Sequence, residues 1–186
     1  MSLSLLLGVT YLISELLLTV TRRSRSRTGT KQDRSTLLVV WLVIMVSVAA
    51  GIFVTKSLPS ATLPHYRSFM FSGVALFVTG LLLRWWAIVT LGRFFTVDVT
   101  IELDHQLIDR GPFRVVRHPS YTGVLVAFLG LALTLGNWVT LLVILVPIGA
   151  AFVHRMNVEE NALSNALGRE YTDYMRHTKR LVPFIY

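Results

Sequence analysis

His105-Gln106-Leu107-Ile108-Asp109-Arg110-Gly111-Pro112-Phe113-Arg114-Val115-Val116-Arg117-His118-Pro119-Ser120-Tyr121-Thr122-Gly123 is the one stretch of this chain that reads as neither a membrane span nor an ordinary loop. A Gly111-Pro112 turn leads into a short amphiphilic segment, and His118-Pro119 then opens a long apolar run. Proline has no N–H and a preset φ, so it is tolerated at the first position of a helix, and Pro119 is expected to start one. Such a start turns unpaired N–H groups and the positive end of the helix dipole towards His118, Ser120 and Tyr121. A carboxylate or another polar group of a ligand would be held there.

Outward from this stretch the chain is apolar, with 53% hydrophobic and 15% charged residues. Its apolar runs approach the length needed to cross about 30 Å of hydrocarbon. Spans are expected at 3–20, 36–55, 69–91, 121–135 and 139–153, which makes an all-α polytopic membrane protein with about five transmembrane helices. The turn at Gly136-Asn137-Trp138 is short enough to make the last two spans an antiparallel hairpin. Residues 94–103 alternate weakly and are rich in β-branched side chains, so extended or irregular backbone is expected there. The chain thus divides into a three-span region, 1–91, with a basic loop at 21–35, and a region 92–186 holding a linker, the hairpin and amphipathic C-terminal helices.

The formal charge is +8, yet the basic residues flank apolar blocks and are not interleaved with aromatics on a polar face, which argues against nucleic acid. Arg22, Arg23, Arg25, Arg27, Lys31 and Arg34 follow the first span; Arg93, Arg110, Arg114 and Arg117 lie in the linker; Arg155, Arg169, Arg176, Lys179 and Arg180 follow the fifth span. Lys56 and Arg67 lie on the other side. The positive-inside rule then places the N-terminus outside and the C-terminus in the cytoplasm, with the first span an uncleaved anchor. The membrane would be the cell membrane of a prokaryote or the endoplasmic reticulum of a eukaryote. There is no cysteine, so disulfides and thiolate chemistry are excluded. His154 and His177 have no partner at metal-ligand spacing, and no metal is expected.

Several residues keep a plain reading. Arg84 is expected to snorkel to the headgroups beside an aromatic belt of Trp85 and Trp86. Glu15 is costly in lipid and reads either as an interfacial carboxylate or as a group facing a cavity. Gly123 and Gly130 fall seven apart and permit close helix packing, within one chain or between chains, and the oligomeric state stays open.

Past the fifth span, Arg155 and Glu159 are four apart and share a helix face. An exposed pair of this kind contributes only a few tenths of a kcal/mol. This one, however, continues the hairpin whose other arm begins at His118-Pro119, so the two can face each other at the lipid–water boundary. Leu163, Leu167, Tyr171 and Tyr174 then recur at helical spacing around Gly168, giving an amphipathic tail expected to close over the pocket.

Taken in order, these motifs resemble the isoprenylcysteine carboxyl methyltransferase family and the related membrane phospholipid methyltransferases. The elements that carry the likeness are His105-x-Leu107-Ile108, Gly111-Pro112-Phe113, Arg117-His118-Pro119-Ser120-Tyr121, the Asn137-Trp138 turn, Arg155-x-x-x-Glu159-Glu160 and Leu167-Gly168-Arg169-Glu170-Tyr171, spread over residues 90–184. The resemblance implies S-adenosylmethionine in a cytoplasmic pocket and a lipophilic or prenylated acceptor arriving from the membrane lipids. By matching positions, it implies cofactor contacts from His105, Gln106, Leu107, Ile108, Phe113, His118, Pro119, Ser120, Tyr121 and Glu159, with Arg155 on the acceptor. Arg155 and Glu159 are the expected catalytic pair. Phe113 stands where the family commonly has tyrosine, and Asp98 where a glutamine can contribute. A phospholipid amine acceptor, a nicotinamide-dependent membrane reductase and a non-catalytic scaffold are the competing readings; no Gly-rich pyrophosphate fingerprint favours the reductase.

Overall fold

The computed structural model describes residues 3–21, 30–33, 35–95, 99–101 and 107–183. Six α-helices carry the architecture: α1 Leu3–Thr21, α2 Ser35–Ser57, α3 Tyr66–Leu91, α4 Pro119–Leu135, α5 Trp138–Leu167 and α6 Arg169–His177. Thr36–Ser57, Tyr66–Leu91 and Trp138–Leu167 are long and apolar enough to cross a membrane, and Leu3–Leu18 and Pro119–Leu135 are shorter apolar helices. The chain is therefore an all-α polytopic membrane protein. Large apolar side chains such as Leu16, Val46, Leu82 and Val146 point outward, as lipid-facing positions do.

α5 runs on past the apolar segment that ends near Val153. Its 30 residues, with Pro147 inside, reach about 45 Å at 1.5 Å per residue, so the turns carrying Arg155, Glu159 and Glu160 stand beyond the apolar part of the same helix. Nothing between Val153 and Gly168 breaks the helix, and Gly168, at φ 58°, ends it. The functional side chains after the fifth span thus inherit the direction of the span itself.

The closest packing is between α3 and α4, which run antiparallel. A Cβ added at Gly73 would lie 2.7 Å from the Gly130 carbonyl, and one at Gly123 would lie 2.6 Å from the Gly80 carbonyl. Both glycine pairs repeat at seven residues, so the spacing on α4 serves contact within the chain. α2 packs on α5, where the Thr55 and Thr140 hydroxyls meet at 2.9 Å and Thr140 Oγ1 donates to the Gly51 carbonyl.

The α4–α5 hairpin turns at Gly136, in the left-handed region at φ 67°. Asn137 caps α5: its side-chain oxygen accepts from the Val139 and Thr140 N–H groups, and its amide donates to the Leu58 carbonyl at 2.8 Å. Such caps satisfy helix-start donors that would otherwise be orphaned. At the opposite end of the bundle lie the end of α3, the start of α4, the second half of α5, and α6. Here too a two-stranded antiparallel ribbon pairs β1, Thr30–Asp33, with β2, Val99–Ile101. Extended backbone was expected for 94–103; its partner in the basic loop was not.

Arg84 departs from its sequence expectation. It turns inward to Glu15, with its Nε and second terminal nitrogen on the two carboxylate oxygens at 2.5 and 2.6 Å. An arginine seven residues before the end of α3 is too deep to reach headgroups cheaply, and a buried carboxylate on the neighbouring helix supplies the charge partner instead. Trp85 likewise donates to Ser14 at 2.8 Å, whereas Trp86 is exposed as a belt residue would be.

Candidate functional site

The site forms where the start of α4 meets the polar half of α5. Tyr121 sits in the first turn of α4, and Arg155 and Glu159 on successive turns of α5. The Tyr121 hydroxyl donates to Glu159 Oε2 at 2.7 Å and accepts from Arg155 Nε at 3.0 Å. The expected face-sharing pair is thus bridged by a phenol from the other arm of the hairpin. Arg155 also donates to Thr36 Oγ1, at the start of α2, at 3.2 Å. The arginine is buried, which makes each of these contacts a determinant of where its charge points.

His118 is buried directly beside this group. Its Nε2 lies 3.1 Å from Glu160 Oε1 and its Nδ1 3.8 Å from Glu159 Oε2, while its ring stacks on Tyr121 at 5.4 Å between centroids and 14° between planes. Glu160 also accepts from Arg117 Nε at 2.9 Å and from Arg180. The two adjacent glutamates therefore divide the work. Glu160 is buried in a cluster of cationic partners, while the Glu159 side chain, 29% exposed, faces the open side.

The segment after α6 clasps the start of α4 through the main chain. Arg117 N–H donates to the Lys179 carbonyl at 2.7 Å and His118 N–H to the Arg180 carbonyl at 3.0 Å, and Lys179 pairs with Val116 in a parallel bridge. Arg117 adds contacts to the Met175 and Thr178 carbonyls, and Thr122 Oγ1 reaches the Leu181 carbonyl. From α6, buried Tyr174 donates to the Phe113 carbonyl at 2.6 Å. Burial, reinforced by the negative charge of Asp109, raises the Tyr174 pKa, and burial followed by Glu159 and Glu160 raises that of Tyr171. Both phenols stay protonated, and that of Tyr174 serves as a donor. The amphipathic tail thus packs on the start of α4 and the segment before it.

One sequence expectation needs correction. The start of α4 was to offer a row of unpaired N–H groups, but Pro119 has none and the Tyr121 and Thr122 N–H groups fold back onto the His118 carbonyl, each at 3.0 Å. Tightening of a first helical turn in this way satisfies its orphan donors internally.

The remaining sequence candidates are distributed unevenly. Leu107 and Ile108 are half-buried, and Phe113, Pro119 and Ser120 are buried. His105, Gln106 and Asp98 lie outside the described residues. Ser120 looks away from Glu159, its hydroxyl accepting from Arg84 at 2.9 Å. Beside it opens a cleft of about 60 Å³ whose polar lining is Glu15, Arg84, Ser120, Tyr121 and Arg155, with Leu18, Val40, Trp41, Ile44 and Phe152 among its apolar walls. Thr36, Arg84, Arg117, Glu160 and Arg180 were not among the site residues expected from the sequence. Of these, Arg117 and Glu160 carried a local signal, lying within the Arg117-His118-Pro119 and Arg155-x-x-x-Glu159-Glu160 elements.

The family model for isoprenylcysteine carboxyl methyltransferase (ICMT) matches residues 73–165, which hold most of α3, all of α4, nearly all of α5 and the Tyr121–Arg155–Glu159 bridge. A protein-S-isoprenylcysteine O-methyltransferase B of Arabidopsis thaliana is 33% identical over 115 residues, 61% of this chain and 58% of the relative, so the chain spans somewhat over half of that protein's length. A probable protein-S-isoprenylcysteine O-methyltransferase of Oryza sativa subsp. indica is 31% identical over 153 residues, 81% of this chain and 80% of the relative. A solved structure described as the eukaryotic intramembrane Ras methyltransferase ICMT superposes with a TM-score of 0.69 at 23% identity, covering 98% of this chain and 68% of that one, and so shares the fold. Because the matched region contains the bridged site, and the rice relative is matched across most of both chains, this chain belongs to the isoprenylcysteine carboxyl methyltransferase family.

Proposed function

We propose that the chain is an integral membrane methyltransferase that moves a methyl group from S-adenosylmethionine to a lipophilic acceptor, the carboxylate of an isoprenylcysteine-like group, in a pocket on the cytoplasmic side. The observation that carries this reading is the position of Arg155, which lines a largely apolar cleft while its Nε is fixed by Tyr121. An acceptor with an apolar chain and a single carboxylate matches both halves of that cleft. The names of the relatives point to the same acceptor. The concentration of basic residues at the site end of the bundle supports its cytoplasmic placement.

The family implies a methyl donor, and the donor set of this site fits S-adenosylmethionine. Glu159 presents a partly exposed carboxylate next to the stacked His118 and Tyr121 rings, a combination suited to a cationic ligand through charge and aromatic face. His105, Gln106, Leu107, Ile108, Phe113, His118, Pro119, Ser120, Tyr121 and Glu159 would hold the group, which supplies an electrophilic methyl when bound.

The chain's own task is alignment. A carboxylate is nucleophilic at neutral pH, so no side chain has to remove a proton from it. Arg155 orients it by charge-assisted hydrogen bonds, which a planar guanidinium makes in a fixed direction. Tyr121 fixes Arg155 and Glu159 against each other, and holding reactants in line is worth several kcal/mol of barrier. The tail clasp holds Arg117 and His118 at the start of α4, the turn that carries Tyr121.

Calorimetry with S-adenosylhomocysteine on the protein in nanodiscs, alongside NADPH, tests the cofactor. Binding of the first that weakens in Glu159→Gln is expected; binding of NADPH alone would replace this reading with a reductase. Transfer of labelled methyl to an N-acylated S-prenylcysteine, and not to phosphatidylethanolamine, is the expected acceptor result. The reverse preference would make Glu159 a general base for an amine.

A further inference from the structure

We propose, building on the acceptor reading above, that Glu15 and Arg84 form a positioning pair for the acceptor: by holding Ser120 they fix the first turn of α4, and with it the Tyr121 hydroxyl that aims Arg155 into the cleft. Arg84 spends both of its carboxylate-facing nitrogens on Glu15, at 2.5 and 2.6 Å, and gives the third to Ser120 Oγ at 2.9 Å. Ser120 and Tyr121 are neighbours in the chain, each held by a different arginine, and both arginines line the same cleft. A shift at Ser120 is a shift at Tyr121, whose hydroxyl accepts from Arg155 at 3.0 Å.

The pair is a poor device for stability alone. A buried ion pair rarely repays its desolvation better than well-packed apolar side chains do, and ionisable groups inside membrane helices tend to serve function. Attachment of α1 does not require it either. One residue away, Trp85 already ties α3 to α1 through Ser14 at 2.8 Å, and Tyr11 packs edge-on against Phe128 of α4 at 4.8 Å between centroids. What the charged pair adds is direction: a guanidinium clamped on both sides has one orientation left for its third nitrogen, and that orientation is Ser120.

The test is the double variant Glu15→Leu/Arg84→Met, which removes both charges together and leaves neither buried alone. Three quantities are measured on the full chain in nanodiscs: thermal midpoint, Kd for S-adenosylhomocysteine, and KM for an N-acylated S-prenylcysteine. The midpoint is expected at or above that of the wild type, and KM for the acceptor rises about tenfold through misalignment of Arg155 while the Kd changes by far less. An unchanged acceptor KM overturns the inference, and so does a parallel loss of S-adenosylhomocysteine binding, which would make the pair a general structural support. Glu15→Asp, which keeps the charge and withdraws the carboxylate by one methylene, is the second variant if the first does not fold: a several-fold rise in acceptor KM is expected, and none overturns the proposal. A wild-type protein that binds no S-adenosylhomocysteine and methylates no prenylcysteine overturns the underlying reading and this inference with it, a result distinct from any difference between variant and wild type.

Discussion

His118 and Glu160 meet at 3.1 Å in the interior of the site, on an oxygen that Glu160 also presents to Arg117. The carboxylate joins the start of α4 to α5 and, through Arg180, to the tail. Glu160→Gln leaves the arginines with an uncharged partner, and removing one member of a buried charge cluster costs about 3 kcal/mol or more. A fall in thermal midpoint in detergent is expected, together with faster proteolysis around Lys179 and Arg180. An unchanged midpoint would show that Glu160 is not the tie.

Tyr121→Phe removes one hydroxyl and leaves the ring that stacks on His118 and packs on Phe152. Arg155 and Glu159 then lose their common partner. The fold should persist, and kcat/KM for the acceptor should fall on the order of 10- to 100-fold through lost alignment. Steady-state methyl-transfer assays at saturating cofactor read this directly.

Thr36→Val keeps the volume and deletes the hydroxyl that receives Arg155 at 3.2 Å. The loss of one hydrogen bond to a charged group, about 1.5 kcal/mol, predicts a rise of roughly tenfold in acceptor KM. Cofactor affinity should not change, because the contact reaches Arg155 from α2 and not from the Glu159 side.

Arg155→Lys should not rescue function if the acceptor is a carboxylate. A lysine brings a point charge without the planar fork, and it has no Nε in the place that Tyr121 fixes. A drop in kcat/KM close to that of Arg155→Ala is the expected assay result.

Gly80→Leu and Gly123→Leu place side chains where the carbonyl of the facing helix already lies. Backbone cannot step aside as a flexible side chain can, and overpacking of this kind costs about 1–3 kcal/mol or more. Size-exclusion profiles of the solubilised variants should show loss of the monodisperse species. Gly149→Leu, whose added Cβ meets nothing within 4 Å, is the control expected to behave as wild type.

What the sequence made legible was whatever repeats or sits close together. Apolar run length located the helices within a few residues, apart from the end of α5, which lies fourteen residues past the expected 153; Pro119 and Gly136-Asn137 marked the hairpin ends, and the four-residue spacing of Arg155 and Glu159 put both on the face that meets Tyr121. Long-range pairings left no local trace. Glu15 and Arg84 are separated by 69 residues and Arg155 and Thr36 by 119, so no periodicity could connect them. The snorkelling expected of Arg84 failed because a charge within an apolar run looks the same in sequence whether it turns to the headgroups or to a neighbouring helix. The unpaired amides expected at the start of α4 are fewer than the sequence suggested because the tightness of a first turn depends on the φ and ψ of residues whose types permit several values.

The main-chain clasp from residues 178–181 also sets an order of assembly. Among the described residues every helix long and apolar enough to cross a membrane precedes this segment, so those helices can pack before Arg117 and His118 have received the Lys179 and Arg180 carbonyls. Until then the first turn of α4 lacks one of its walls. A bundle that has packed before this clasp forms is on this account still open at Arg117 and His118.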